Sequence, residues 1–421
     1  AEMIVDIHTH CFNDKLAEKA LRKLADASNV RPYGLGRIGD IQDYVLKHAG
    51  VDYAVVLNVS TSPGYEHNVN NFSADIDMID RIISFGSVHP DYEDIYGELK
   101  RIKDMGMIGI KLHPDYQGYH FDDKKAYPIY EACQDLGLIL LTHAGFDPIS
   151  PTHVHTTPEG ALKVHRDFPD LKLIMAHMGG VYSSDDIERV IAGENIYLDT
   201  AVCANYVEPK TIKRLADKHG AEKILLGSDF PWDTTINEMR MLERSGLSSS
   251  QLDMIFGENA RELLSMDELL ARPKIRRMKP ENKEDFIQMA SDFYSSDATV
   301  SQPDVDSFEN TFKAIIKGRD GVDGYIISKK DEICGYAVAS KSWYSEAGGK
   351  IVALEELYIK PEYRGMGIGT QYLKWAKAYY TGAGAKALRL EVSRNNDKAH
   401  DLYKTLGYVD LDYLQMFSKI R

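Results

Sequence analysis

Short apolar, β-branched runs recur along the first two thirds of the chain. They open at Met3 (MIVDIH), Tyr53 (YAVVLN), Ile82 (IISFGSV), Ile108 (IGIKLH), Leu138 (LILLTH), Leu171 (LKLIMAH), Asn195 (NIYLDT) and Lys223 (KILLGSD). Segments of helical periodicity lie between them, such as 123–136 and 158–168. Eight strand–helix repeats in about 260 residues predict an α/β fold of the (β/α)8, or TIM, barrel type. A doubly wound open sheet is the alternative that the pattern alone leaves standing.

The pattern changes after a last short helix at 257–264. Residues 268–280 (ELLARPKIRRMKP) are basic and carry two prolines, which suits a connection into a new first strand. The expected division is a barrel over 1–268, a linker over 269–276 and a second domain over 277–421. That domain reads as a strand, helices at 283–294 and 305–316, and strands at 322–329, 332–340 and 350–360. A helix, a strand, a helix and a final strand follow.

Composition narrows the class. The 421 residues are 43% hydrophobic and 27% charged, enough apolar matter for full cores. The formal charge of −14 argues against nucleic acid or an anionic membrane as the main partner. Small-molecule substrates are expected instead. The cysteines Cys11, Cys133, Cys203 and Cys334 are dispersed, and the N-terminal stretch lacks a basic-then-apolar leader. A reducing cytoplasm is the expected compartment.

The run ends carry the chemistry. His8 and His10, Asn58, His89, His113, His143, His177, Asp199 and Asp229 close them. In a parallel barrel these ends share one face, where catalytic residues collect. On a strand, residues i and i+2 face one side, so His8 and His10 project together, as two imidazole ligands of one metal require. A single His-x-His pair is a weak signal. His153 and His155 form another, read as a loop or substrate contact. Lys111 shares an inward face with His113. His48, His120, His165 and His219 are expected at the surface.

With these positions in place, residues 3–264 resemble the amidohydrolase superfamily, in the branch that includes aminocarboxymuconate-semialdehyde decarboxylase-like enzymes. The resemblance rests on DIHTH at 6–10, GIKLHP at 109–114, LLTHAG at 140–145, AHMGG at 176–180, LLGSDFPW at 225–232 and GENARELL at 257–264. It implies that His8, His10, His143 and Asp229 surround a divalent metal, zinc foremost, with manganese, iron or cobalt as substitutes. It implies that His177 polarises water or substrate and that Asp229 shuttles a proton. Two-metal members use a carboxylated lysine from the fourth strand, the place of Lys111. In the one-metal alternative, Lys111 and His113 bind an anionic substrate group and His89 lines the pocket. Hydrolysis of an amide, ester or lactone is the favoured reaction, with metal-dependent decarboxylation as the alternative. Barrels of this type often pair, so a homodimer is one expectation.

A second motif lies at 363–369, Tyr-Arg-Gly-Met-Gly-Ile-Gly, after an apolar strand and before a helix at 370–381. Such a turn presents backbone N–H groups at a helix N-terminus, which suits a pyrophosphate. No lysine–Ser/Thr pair follows, so it is not a Walker loop. From Leu354 (LEELYIKPEYRGMGIGTQYL) through Leu388 (LRLEVSRNNDKAHDLYKTLGY), the chain resembles the GNAT acetyltransferase family, over about 275–421. The resemblance implies an α+β domain with a mixed central sheet that binds acetyl-CoA. The backbone of Leu357 and Ile359 would line the pantetheine arm. Arg364, Gly365, Met366, Gly367, Ile368, Gly369 and Thr370 would hold the pyrophosphate, and Asn396 matches a further cofactor position. Tyr403 would protonate the departing thiolate, while Glu355 or Glu356 deprotonates the acceptor amine. The expected protein is therefore bifunctional, with a non-catalytic acetyl-CoA sensor as the alternative for this domain.

One further motif, Gly34-Leu35-Gly36-Arg37-Ile38-Gly39, has dinucleotide-loop spacing but follows a helical stretch rather than a strand. An active-site loop is the better expectation.

Overall fold

The computed structural model describes residues 2–296, 299, 301–413, 415–416 and 418. It divides into two compact units, Ala1–Arg272 and Pro273–Arg421.

In the first unit eight short strands run parallel. They are β1 (Val5–Thr9), β2 (Tyr53–Leu57), β3 (Ile82–Phe85), β4 (Gly109–Leu112), β5 (Ile139–Thr142), β6 (Leu173–Met175), β7 (Tyr197–Asp199) and β8 (Ile224–Leu225). Ladders join β1 to β3 and β4 to β8 in sequence order. A bridge between Gly86 and Ile110 joins the two arcs, and one between Thr9 and Phe230 closes the ring. This is the closed barrel, not the open sheet. Val5, Ile7, Val55, Leu57, Phe85, Leu141, Ile174 and Leu225 form one buried cluster. Ala54, Val56 and Ile82 belong instead to a layer with Ile41, Val45 and Leu46. The period-2 alternation thus feeds two layers from one strand.

The strands are shorter than the apolar runs. β8 stops at Leu225, so Asp229 lies beyond it rather than ending it, in a left-handed turn with φ +63°. The 226–230 segment is stitched to β1 all the same. Ile7 N–H donates to Leu226 O at 2.8 Å, Asp229 N–H to His8 O at 2.7 Å, and His10 N–H to Phe230 O at 2.7 Å.

The linker expected at 269–276 is absent. Helix Met266–Ala271 belongs to the barrel, with Met266 buried and Leu269 and Leu270 packed on its core. The next strand, β9 (Lys274–Arg277), pairs antiparallel with β10 (Val322–Lys329). Two residues, Arg272 and Pro273, make the change.

The second unit adds β11 (Glu332–Tyr344), β12 (Gly349–Ile359) and β13 (Ala387–Leu390) in the order β13-β12-β11-β10-β9. Only β12 with β13 is parallel, so the sheet is mixed. Helices Lys283–Tyr294 and Val305–Lys317 bury Phe286, Met289, Phe308 and Phe312 with Ile326, Tyr336 and Val338 of the sheet. The strand expected after helix Asp397–Thr405 is not formed at 408–413, which is irregular, and the chain beyond lies partly outside the described residues. No helix among the described residues is long and apolar enough to cross a membrane.

Candidate functional site

The barrel site begins at a register slip. β1 shifts against β2 between Asp6 and Thr9, a bulge that re-aims the strand end. Past it, His8 and His10 meet Asp229. His8 Nε2 lies 3.1 Å from His10 Nε2 and 3.3 Å from Asp229 Oδ1, and His10 Nε2 lies 2.9 Å from Asp229 Oδ1. Ligand atoms on one ion with bonds of about 2.0–2.1 Å stand about 2.9–3.4 Å apart, so the spacing fits a divalent cation.

The outer nitrogens fit it too. His8 Nδ1 pairs with Asp199 Oδ2 at 2.8 Å, and His10 Nδ1 faces Leu57 O at 2.8 Å. Both rings therefore carry the proton on Nδ1 and turn an Nε2 lone pair to one point, as orienting partners do in metal sites. Burial, then the Lys111 charge, pushes His8 well below its ordinary pKa, so it stays neutral. Gly227 lets the β8 segment lie against β1, because a Cβ there would sit 2.9 Å from His8 Cβ. Asp6 braces the same junction. Its carboxylate accepts from Ser228 N–H at 3.1 Å and Thr235 O–H at 2.6 Å.

Lys111 is buried with Nζ 3.3 Å from His8 Nε2. Burial pushes its pKa down to about 8, against the pull of Asp199, Asp229 and Asp147. His177 has φ +60°, a strained backbone kept where the surroundings fix it. Its Nδ1 faces Ala201 O at 3.0 Å, its N–H donates to Asp199 Oδ1 at 2.9 Å, and its Nε2 lies 3.1 Å from His143 Nδ1.

His143 is the main departure from the expected ligand set. Its Nδ1 is taken by His177, and its Nε2 faces Asp115 and Asp147. Among the described residues, His113, His143 and Asp147 form a second close group, separate from His8, His10 and Asp229. His113 stacks on His143 at 4.2 Å and on Tyr116 at 3.6 Å. It faces carboxylates, a poor setting for binding an anion. His89 Nδ1 accepts from Asp91 N–H at 3.1 Å within its own loop. His155, read as a loop residue, pairs with Asp115 Oδ1 at 2.8 Å. His219, expected at the surface, is buried and bonded to Ile196 O.

The run-end pattern marked Asp199 without a role, and nothing singled out Asp147 or Asp115. A His with a carboxylate four residues on, as in His143 and Asp147, was the available signal. In the GLGRIG loop, Leu35 and Arg37 N–H donate to Asp40 Oδ2 at 2.8 and 2.9 Å. That nest already holds a carboxylate, which excludes a phosphate. The loop joins the barrel mouth through Phe12 N–H to Gly36 O and Tyr33 N–H to Pro231 O.

In the second unit, β13 pairs with β12 only from Ile351 to Leu354. Among the described residues no strand pairs with that edge from Glu355 to Ile359, so this stretch of β12 is bonded to β11 alone. The Arg364–Thr370 turn follows. Gly365 and Gly367 both take φ +77°, and a Cβ on either would meet open space. Their conformation, not crowding, calls for glycine. Arg364 Nε–H donates to Ile359 O at 2.8 Å, fixing the turn to the strand. Asn396 caps helix Asp397–Thr405 through Ala399 N–H. Burial raises the Tyr403 phenol, which keeps its proton. The two glutamates differ. Glu356 accepts Tyr294 O–H at 2.9 Å and Tyr336 O–H at 2.6 Å, one on each oxygen. Glu355 is exposed, with Ser340 on Oε1.

The fold and the first site define a closed parallel barrel with a His-x-His/Asp centre at its C-terminal mouth. Residues 5–266 match the family model described as amidohydrolase, more than half of the chain, and the chain belongs to that family. Residues 284–408 match the model of the acetyltransferase (GNAT) family, so a GNAT domain follows the barrel. The 2-amino-3-carboxymuconate-6-semialdehyde decarboxylase of Dictyostelium discoideum is 27% identical over 225 residues, 44% of this chain and 62% of that one. The thialysine N-epsilon-acetyltransferase of Sus scrofa is 47% identical over 68 residues, 16% of this chain and 40% of that one. The chain thus spans less than two thirds of the length of these curated relatives. A solved TIM-barrel protein of Bordetella bronchiseptica, itself uncharacterized, covers 63% of this chain and 99% of its own, with TM-score 0.51 and 19% identity. That likeness shows the barrel fold.

Proposed function

We propose that the barrel is a metal-dependent decarboxylase of a small carboxylated molecule, and that the second domain acetylates an amine from acetyl-CoA. The observation that carries the first half is the convergence of His8 Nε2, His10 Nε2 and Asp229 Oδ1 with their outer partners fixed. A zinc or manganese ion held there would supply Lewis acidity to a substrate oxygen. Lys111, a buried amine beside that point, suits a substrate carboxylate when protonated. The named reaction of the Dictyostelium relative supports loss of CO2 over hydrolysis. Hydrolysis is the second reading, favoured by Asp229, which touches both imidazoles and can take a proton from an attacking water. Isotopically labelled carboxylates separate the two. Release of labelled CO2 that needs added metal supports decarboxylation, whereas turnover of esters or lactones without CO2 supports hydrolysis.

For the second domain, the open β12 edge and the Arg364–Thr370 turn support acetyl-CoA binding. Glu355 is the carboxylate an amine can reach, because both oxygens of Glu356 are held by tyrosines. Tyr403, whose buried phenol keeps its proton, is the acid in this reading. Tyr403→Phe should cut acetyl transfer roughly 10-fold or more, within the range of acid–base catalysis, and leave acetyl-CoA affinity intact. Calorimetry beside a thiol-release assay reads both. Full transfer in Tyr403→Phe would remove that role.

A further inference from the structure

Two lysines flank the Arg364–Thr370 turn in the second unit. The first comes from the β10–β11 hairpin, whose turn residues Lys330 and Asp331 take φ +48° and +66°. The register sets Lys329 opposite Glu332, so the two side chains share one face of the hairpin. Both reach the segment that leads into the turn. Glu332 accepts the Tyr363 hydroxyl, and Lys329 Nζ lies 4.0 Å from Met366 Sδ. The second lysine leaves the end of β12. Gly335 of β11 pairs with Ile359, and Lys360 N–H donates to Cys334 O at 2.9 Å. Burial pushes the Cys334 thiol up, while the Lys360 and Lys329 charges both act to lower it. Both ammonium groups therefore stand at the hairpin end of the sheet, beside the turn.

These charges lack a matching partner. A thioether is a weak acceptor, so Met366 does little for the Lys329 ammonium. Among the described residues neither Lys329 nor Lys360 is paired with a carboxylate. The Glu332 carboxylate, opposite Lys329, is engaged by Tyr363 instead. Arg364 is turned back on the strand, with Nε–H on Ile359 O and the guanidinium 5.7 Å from the Tyr358 ring. It braces the turn and leaves further charge to the lysines. In a chain with formal charge −14, two neighbouring lysines without a carboxylate suit an anion brought from outside.

The backbone N–H groups of the turn suit a pyrophosphate. Coenzyme A carries one more phosphate, on its ribose. We propose that Lys329 and Lys360 form a second anion subsite beside the turn, which takes that ribose phosphate. The domain then selects the phosphorylated coenzyme over its dephospho form. The subsite rests on the acetyl-CoA reading of this domain and adds to it two residues and a selectivity. Lysine suits the role, because a point charge on a flexible stem can follow a phosphate that no backbone cradle fixes.

The test is calorimetry of the full chain with coenzyme A and with dephospho-coenzyme A, beside a Lys329→Met/Lys360→Met variant. Methionine keeps most of the stem and removes the charge. The parent should bind coenzyme A roughly 10-fold tighter than the dephospho form, the size expected for charge-assisted hydrogen bonds. In the variant that preference should vanish, through loss of affinity for coenzyme A alone. Unchanged affinity for the dephospho form shows that the variant is folded, and Lys329→Met alone serves if the double variant is not. Equal binding of the two forms by the parent would overturn the proposal. So would equal weakening of both forms in the variant, which would give the lysines to the pyrophosphate. Binding of neither form by the parent would refute the acetyl-CoA reading, and this subsite with it.

Discussion

Asp199 shows what one side chain contributes to the barrel centre. It accepts from His8 Nδ1 on one oxygen and from the N–H groups of His177 and Ala201 on the other. It therefore sets the tautomer of His8 and the position of His177 together. Asp199→Ala should weaken metal binding about 10–100-fold, as loss of such partners does, with the fold retained. Competition with a graded chelator reads this, and unchanged affinity would show that His8 needs no orienting partner. The pairing of His8 with His10 was legible from their spacing, and Asp229 from its place after the eighth run. The use of Asp199 was not, because the bond joins residues 191 apart. His143 was legible at the barrel mouth, but its contact with His177 was not, because that contact joins residues 34 apart.

At the scale of elements, two helices of the barrel are tied by a buried polar network. Glu98 on helix Ile95–Asp104 pairs with Arg101 at 2.7 Å and accepts from Asn70 of helix Glu66–Asp77. Burial works to raise Glu98, but Arg101 and His67 outweigh it and hold it down to about 2. A carboxylate held below its unfolded value stabilises the fold above that value. The stabilisation is lost as pH falls from about 4.5 towards about 2, on the order of 3 kcal/mol. Urea melts across that window should show the loss, and Glu98→Gln should flatten it; an equally steep acid limb in Glu98→Gln would contradict the assignment. In the second unit the Arg364–Thr370 turn makes a separate prediction. Gly367→Val forces a branched side chain to φ +77°, so acetyl-CoA affinity should fall while metal content does not. Calorimetry with acetyl-CoA checks it. Strand order and most helix bounds followed from apolar periodicity. The join did not, because the prolines and basic residues at 268–280 read as loose chain whereas Met266 and β9 anchor both sides of it.

The molecule as a whole is two units with separate buried cores, one around Val5, Leu57 and Leu141 and one around Phe286, Phe312 and Tyr336. Residues 1–272 and 273–421 made apart should each fold, the first binding metal and the second acetyl-CoA. Failure of either to fold alone would show that the cores depend on one another. For the first unit, the proposed function requires that His8, His10 and Asp229 hold a divalent ion. Elemental analysis of the zinc-loaded chain beside a His8→Ala/His10→Ala variant tests it most directly. The variant should stay folded and lose one equivalent of zinc per chain along with any metal-dependent turnover by the barrel. A folded variant with the same zinc content as the parent would contradict it.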